Sequence, residues 1–357
     1  MHAPASPAAP SRASAGLTLA LFSALAFGGS GPAAKPLINA GLDPLHVTWL
    51  RVAGAAVVLL PLAWRHRGLL LRRPALLAGF GLLAVAGVQA CYFAAISRIP
   101  VGVALLVEYL GPALVLGWVR FVQRRPVSRA AGAGVVLAVG GLACVVEIWA
   151  GLGFDLWGLL LALGAACCQV GYFVLSAHGT GEPGKGPGRD GVPDPLGVIA
   201  HGLLIGALVL TAVARPWEME WSVLGGRAEL AGLPASGAQV PAAVLLGWIV
   251  LVATVAAYLT GVVSVRRLSP QVAGVVACLE AVVATVLAWV LLDERLSAVQ
   301  LLGGAVVLAG AFVAQRATPA APPAPPPGPV AVGGREGAAT GEGGRAERRL
   351  SRDMPAP

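Results

Sequence analysis

The amino-acid sequence predicts an all-α membrane protein: ten transmembrane helices in two inverted five-helix repeats around a central cavity. Three observations carry that expectation. Of 357 residues, 57% are hydrophobic and 12% charged, about half the charged share of a soluble globular chain. Ten windows run nearly free of charge for about 18 to 23 residues, the length an α-helix needs to cross roughly 30 Å of hydrocarbon. The second half of the chain also repeats the first in a nearly constant register.

The windows fall at 17–37, 45–64, 75–96, 101–121, 130–146, 156–176, 197–213, 244–265, 272–292 and 298–315. Backbone groups left unpaired in lipid are costly, and a β-barrel would need short alternating segments, so continuous apolar runs predict helices. The first window follows a single basic residue, Arg12, and Ala24 and Ala26 give a faint cleavage pattern. Nine further spans favour a retained helix over a signal peptide. All five cysteines (Cys91, Cys144, Cys167, Cys168, Cys278) lie inside apolar windows without C-x-x-C spacing or histidine partners. They read as small packing residues, with no metal and no cofactor implied.

The formal charge of +8 follows the positive-inside rule and calls for no nucleic-acid partner. With the N-terminus in the cytoplasm, arginines and lysines cluster in the inner loops at 65–73, 120–129, 185–189 and 266–267. The outer loops hold only Arg98, Arg215, Arg227 and Arg295. Both termini are therefore expected inside the plasma membrane, as befits an even number of crossings. The expected organisation is a cytoplasmic segment 1–15, a first repeat 16–150, a second repeat 151–316 with a solvated loop at 177–196, and a tail 317–357. From Pro319 the tail is a Pro, Ala and Gly mixture that cannot bury enough apolar surface to offset its ordering entropy, so disorder is expected. The 177–196 loop spells G-x-G-x-x-G at Gly179, Gly181 and Gly184 and nearly spells a phosphate loop ending at Lys185. Gly186 stands where that motif needs Ser or Thr, and no strand precedes it, so nucleotide binding is not implied.

The internal repeat is clearest when "VALLVEYLGPALVLGW" is laid on "VVACLEAVVATVLAWV", which places Glu108 on Glu280. "VVLA" at 135–138 recurs at 306–309, within one residue of the same shift. Five crossings per unit is an odd number, so the second copy enters from the opposite face. Inverted repeats are typical of secondary transporters, whose sites lie near the midplane between the repeats.

Glu108 and Glu280 stand eight and ten residues past Pro100 and Pro270, about 12 to 15 Å into the core. An ionised carboxylate there costs about 2.5 to 3.5 kcal/mol unless it meets water, a cation or a proton. Two readings fit: a substrate- or proton-binding pair, or protonated glue between helices. Pro112 has no N–H for the Glu108 carbonyl, so the fourth span should kink there, while Ala284 keeps the ninth regular. In the first span, "FGGSGPAAK" packs Gly28, Gly29, Ser30, Gly31 and Pro32 before Lys35, a broken stretch of the kind that lines a cavity. Lys35 and Arg51 are the intramembrane cations, each readable as a surface anchor or as a cavity cation. Tyr92, Gln169, Tyr172, Tyr258 and His201 add polar tips, readable as interfacial or packing groups or as ligand contacts. "GAGVVLAVGG" and "GGAVVLAGA" in spans five and ten read as close-packing seams.

The stretch from "AYLTGVVSVRRLSPQ" to "LLGGAVVLAGAF" resembles the second-repeat signature of EamA-type drug/metabolite transporters. "LAFGGSGPAAKPL", "HVTWLRVAGA" and "ISRIPVGVALLVEYLGPALV" resemble the companion repeat. That resemblance covers nearly all of 17–315 and implies ten helices, a central cavity and ion-driven export of small polar metabolites, commonly amino acids. Lys35, Arg51, Glu108, Glu280 and "DER" at 293–295 match recurring positions, and "E-Y-L-G-P" is most like the threonine/homoserine exporter branch. The family often places proline directly after the ninth-span glutamate, where Ala281 stands here. The expected function is secondary active export of a small polar metabolite, coupled to protons by alternating access. Uptake by the same fold is the alternative, and a non-transporting structural or sensory membrane protein is a further one. An intramembrane enzyme is disfavoured because no Asp lies within a span and His201 lacks a partner, so no catalytic residue is expected. The partners are a small-molecule substrate, the bilayer and protons, and the sequence does not set an oligomeric state.

Overall fold

The computed structural model describes residues 12–124, 126–147, 155–179, 194–233, 238–265 and 270–317. These residues form one compact unit. The tail and the glycine-rich motif beyond Gly179 lie outside the described residues.

Helix occupies all ten apolar windows. In chain order these are α1 (Arg12–Gly28), α2 (Ser30–Asn39), α3 (Pro44–Val58), α4 (Leu60–Arg65), α5 (Gly68–Arg72), α6 (Pro74–Gly79) and α7 (Val88–Ile96). They continue with α8 (Val101–Glu108), α9 (Gly111–Gly117), α10 (Arg129–Val146), α11 (Leu156–Gly179) and α12 (Pro195–Ala214). The set closes with α13 (Ala242–Gly247), α14 (Ala257–Val265), α15 (Pro270–Leu292) and α16 (Ala298–Ala317). Among the described residues six helical runs are long and apolar enough to span a membrane, and Pro44–Val58, Leu156–Tyr172, Cys278–Leu292 and Ala298–Ala314 are shorter apolar helices. Large apolar side chains face outward, among them Leu208 at 72% and Val136 at 71% exposure. Such a surface suits lipid and not water.

Local chemistry sets the helix starts. Asp43 accepts the Leu45 N–H at 2.8 Å and Asp194 accepts the Leu196 N–H at 3.2 Å, each followed by a proline at the first helical position. Both prolines supply a preset φ where no N–H is needed. Ser128 caps α10 through the Ala131 N–H at 3.2 Å.

The third and eighth windows share a construction not foreseen from sequence. A six-residue helix passes into a π-helical segment and then a nine-residue helix: α6, Phe80–Gly87 and α7 in one, α13, Trp248–Ala256 and α14 in the other. The wider π turn shifts the side-chain register that follows it, and such segments are frequent at functional sites.

α10 and α16 pack antiparallel along small residues. A Cβ at Gly141 would lie 2.7 Å from the Gly303 carbonyl oxygen, and one at Gly310 would lie 2.5 Å from the Ala138 nitrogen. The glycines are there because backbone meets backbone. α3 and α12 also run antiparallel, with Trp49 Nε1 donating to Thr211 Oγ1 at 2.8 Å. The main core gathers Leu37, Phe93, Ile96, Ile99 and Val101 at the end of the bundle that carries Pro100.

The expectation of a purely helical chain needs one correction. Strand β1 (Arg227–Leu230) pairs antiparallel with β2 (Ala238–Pro241), Arg227 opposite Pro241. The Gly232 N–H bonds the Leu291 carbonyl at 3.1 Å, fastening this hairpin to the end of α15. Its four-residue strands are too short, and too glycine-rich between, to register in a hydropathy pattern.

Candidate functional site

The first helix breaks at Gly29, and Ser30 opens α2. Across from it, α3 carries Arg51, 3% exposed and held by neutral acceptors alone. Its Nε donates to Thr254 Oγ1 at 2.8 Å, and Nη1 donates to Ser30 Oγ at 2.7 Å and Gln89 Oε1 at 2.8 Å. Nη2 reaches the Ala253 carbonyl at 3.3 Å. The Thr254 hydroxyl donates to the Ile249 carbonyl at 2.8 Å, five residues back, so its lone pair is aimed at Arg51 by the π turn. Gln89 follows the other π segment. The Phe93 ring lies 5.3 Å from the guanidinium.

α8 ends on Glu108, and a turn at Tyr109–Leu110 separates it from α9, where Pro112 sits in the first turn. α15 runs unbroken past Glu280. Gly28 brings α1 against it: a Cβ there would lie 2.8 Å from the Glu280 carbonyl oxygen. These elements enclose a cavity of about 50 Å³ lined by Phe27, Ser30, Arg51, Val88, Gln89, Tyr92, Leu105, Glu108 and Glu280. Among the described residues neither glutamate makes a hydrogen bond or ion pair, and the Tyr92 hydroxyl makes no hydrogen bond. Both glutamates are half-buried, and a carboxylate at such a depth in a membrane span needs water, a cation or a proton.

Of the sequence-predicted site residues, Ser30, Arg51, Tyr92, Glu108 and Glu280 meet at this cavity and four do not. Tyr258 packs edge-on against Phe27, with ring centroids 4.9 Å apart, behind the wall. Tyr172 packs against Phe80 at 5.0 Å. Gln169 turns its carboxamide to Gly111. Lys35 is drawn away altogether: its ammonium pairs with the Glu294 carboxylate and donates to the Ile99 carbonyl at 3.1 Å. The second Glu294 oxygen accepts the Val101 N–H at 2.8 Å. The expectation that Lys35 is available to the two glutamates is thus corrected, because a nearer acid takes it. His201 bonds the Gly197 carbonyl of its own helix at 2.8 Å.

Sequence reasoning missed Gln89, Thr254 and Glu294 as contacts. The available signals were an amide and a hydroxyl inside apolar spans and the acid of "DER". Among the described residues no group of three His, Cys, Asp or Glu is placed to hold a metal ion. A second cleft, about 650 Å³, opens between α9, α10 and α11 and is lined by Leu110, Trp118, Phe121, Val139 and other apolar groups. It has no charge to offer.

A helical bundle with an apolar outer surface and a polar cavity between its helices fits a multi-pass membrane protein of the transporter class. The chain belongs to the EamA-like transporter family, whose model matches it twice, over residues 14–147 and 156–315. It is 28% identical to the threonine/homoserine exporter RhtA of Escherichia coli (strain K12) over 271 residues, 74% of this chain and 79% of the relative. The protein of the same name from Salmonella typhimurium (strain SL1344) is 27% identical over the same shares.

Proposed function

We propose that this protein is a secondary active transporter that exports a small polar metabolite of the amino-acid class across the plasma membrane, coupled to protons by alternating access. One observation carries the reading: two half-buried carboxylates, with no hydrogen bond or ion pair among the described residues, and one fixed guanidinium share a small cavity to which both halves of the chain contribute. A permanently structural pair of acids would be expected to have built-in partners, because a carboxylate within a membrane span needs a cation, a proton or water.

The ten-helix, inverted-repeat architecture belongs to the same proposal. It is supported by the two family matches, the matching π-interrupted helices and the antiparallel pairs α3/α12 and α10/α16. With both termini cytoplasmic, the Lys35–Glu294 contact lies at the outer face. The names of the two similar threonine/homoserine exporters favour threonine-like substrates.

Inverted membrane vesicles loaded by this chain test the reading. Threonine or homoserine should accumulate, and faster when the lumen is made acidic. If no solute in an amino-acid panel moves, the transporter reading falls. If flux ignores the imposed gradient, proton coupling falls.

A further inference from the structure

Two acids and one guanidinium face the cavity, which suggests at first that a zwitterionic substrate is gripped at both ends. The hydrogen-bond inventory argues otherwise. A guanidinium has five N–H donors. The bonds to Thr254, Ser30, Gln89 and Ala253 engage the Nε–H, both Nη1 hydrogens and one Nη2 hydrogen. One N–H remains, and a carboxylate needs a parallel pair for the bidentate grip that makes arginine selective for it. Among the described residues no other cation lines the cavity, and the Lys35 ammonium is committed to Glu294 and Ile99. The acids are the reverse case: Glu108 and Glu280 have all their lone pairs unclaimed by described residues. Phe27 and Tyr92 on the same wall offer aromatic rings, which favour a cation.

From this we infer that the site recognises its substrate by the ammonium group and not by the carboxylate: Glu108 and Glu280 receive the ammonium, while Arg51 is a fixed counter-charge held by Ser30, Gln89 and Thr254. The substrate class is therefore small primary amines, amino acids among them, and a free carboxylate is dispensable. This rests on the transporter reading but deepens it.

Counterflow exchange of labelled threonine in proteoliposomes, with no pH gradient, separates the two ends of the substrate. Threonine amide, which keeps the ammonium, should compete within about threefold of threonine. N-Acetylthreonine, which keeps only the carboxylate, should compete roughly ten- to hundredfold more weakly, the loss expected for one charge-assisted hydrogen bond. The inference is overturned if the acetyl compound competes as well as threonine, or if masking either end is equally damaging.

A gain-of-function variant sharpens the test. Gln89→Leu frees one Arg51 Nη1 hydrogen and should improve competition by N-acetylthreonine relative to the amide; no change in that ratio argues against the role given to Gln89. If threonine itself fails to exchange, the proposed substrate is wrong, and binding still decides the inference. The purified protein should be thermally stabilised by n-butylammonium and not by butyrate, with the stabilisation lost in Glu108→Gln and Glu280→Gln. Stabilisation by butyrate alone, or by neither probe, overturns it.

Discussion

Two places in this molecule hold half-buried glutamates, and they treat them in opposite ways. At the Pro100 end, Glu294 spends both carboxylate oxygens on the Lys35 ammonium and the Val101 N–H, with the Lys35 and Glu294 side chains 17% and 14% exposed. At the central cavity, Glu108 and Glu280 have neither an ion pair nor a hydrogen bond among the described residues. A nearby cation does not explain the difference, because Arg51 faces the cavity and is occupied by neutral acceptors. An acid whose partners are built into the fold holds the fold in one arrangement. On the proposed function, one whose partners are withheld is left for a ligand that comes and goes.

The comparison breaks most easily at the cavity. Glu108→Gln and Glu280→Gln should each reduce transport by roughly a hundredfold or more, since each removes a charge-assisted contact worth about 1.5–3 kcal/mol and with it a proton-exchanging group. The same variants should melt no lower than the parent protein, because a neutral amide is cheaper to bury than an unpartnered carboxylate. Vesicle flux and a melting curve on one preparation check both halves of the expectation. A variant that melts far lower while retaining flux would recast these acids as structural glue.

At the paired end the signs should reverse. Glu294→Gln strands the Lys35 ammonium and should cost about 1–3 kcal/mol of stability, discounted for partial exposure. Its effect on flux should be smaller than that of either cavity variant. A double-mutant cycle with Lys35→Met is the sharper measurement: the double variant should recover part of the stability lost by Glu294→Gln, because the unpaired cation is gone. Strict additivity would show that the two residues do not act as a unit, and the contrast with the cavity would lose its second term.

How much of this was legible before any coordinates depends on the range of the interaction. Span positions follow from local apolarity, and helix fills all ten windows. The seam between α10 and α16 was legible too, because glycine spacing is a local signal with a single use in lipid. Glu108 and Glu280 stood out because a charge in hydrocarbon demands a reason. The fate of Lys35 was not legible: its partner lies 259 residues away, and nothing local distinguishes a lysine that snorkels from one that meets such an acid. Gln89 and Thr254 were hidden for a related reason, since a π segment preceding or containing each of them sets their direction. A π turn is tolerated or not by tertiary packing and not by propensity. Gln169 shows the converse. It is as polar as Gln89, yet it lies against the bare backbone of Gly111 and does not line the Arg51 cavity.

The smallest effect is expected where an acid is paired but wet. Arg98 Nη1 meets Asp155 Oδ2 at 2.7 Å, both largely accessible to solvent, and the Trp157 N–H adds a bond to Oδ1 at 2.9 Å. The Arg98 hydrogen bond first, and the Trp157 amide second, hold the Asp155 carboxyl below its ordinary pKa. A carboxyl with a depressed folded pKa stabilises the fold fully above its unfolded pKa and loses that contribution as the pH falls through the folded value. Asp155→Asn should therefore leave flux unchanged and lower the melting temperature only slightly at neutral pH, because exposed pairs are screened. The gap between parent and variant should then close as the pH is taken below the usual carboxylate range. A gap that widens in acid would mean the pair is not what orders this corner. If Asp155→Asn instead abolished transport, pairing in itself would not mark an acid as structural, and the line drawn between Glu294 and the cavity glutamates would have to be abandoned.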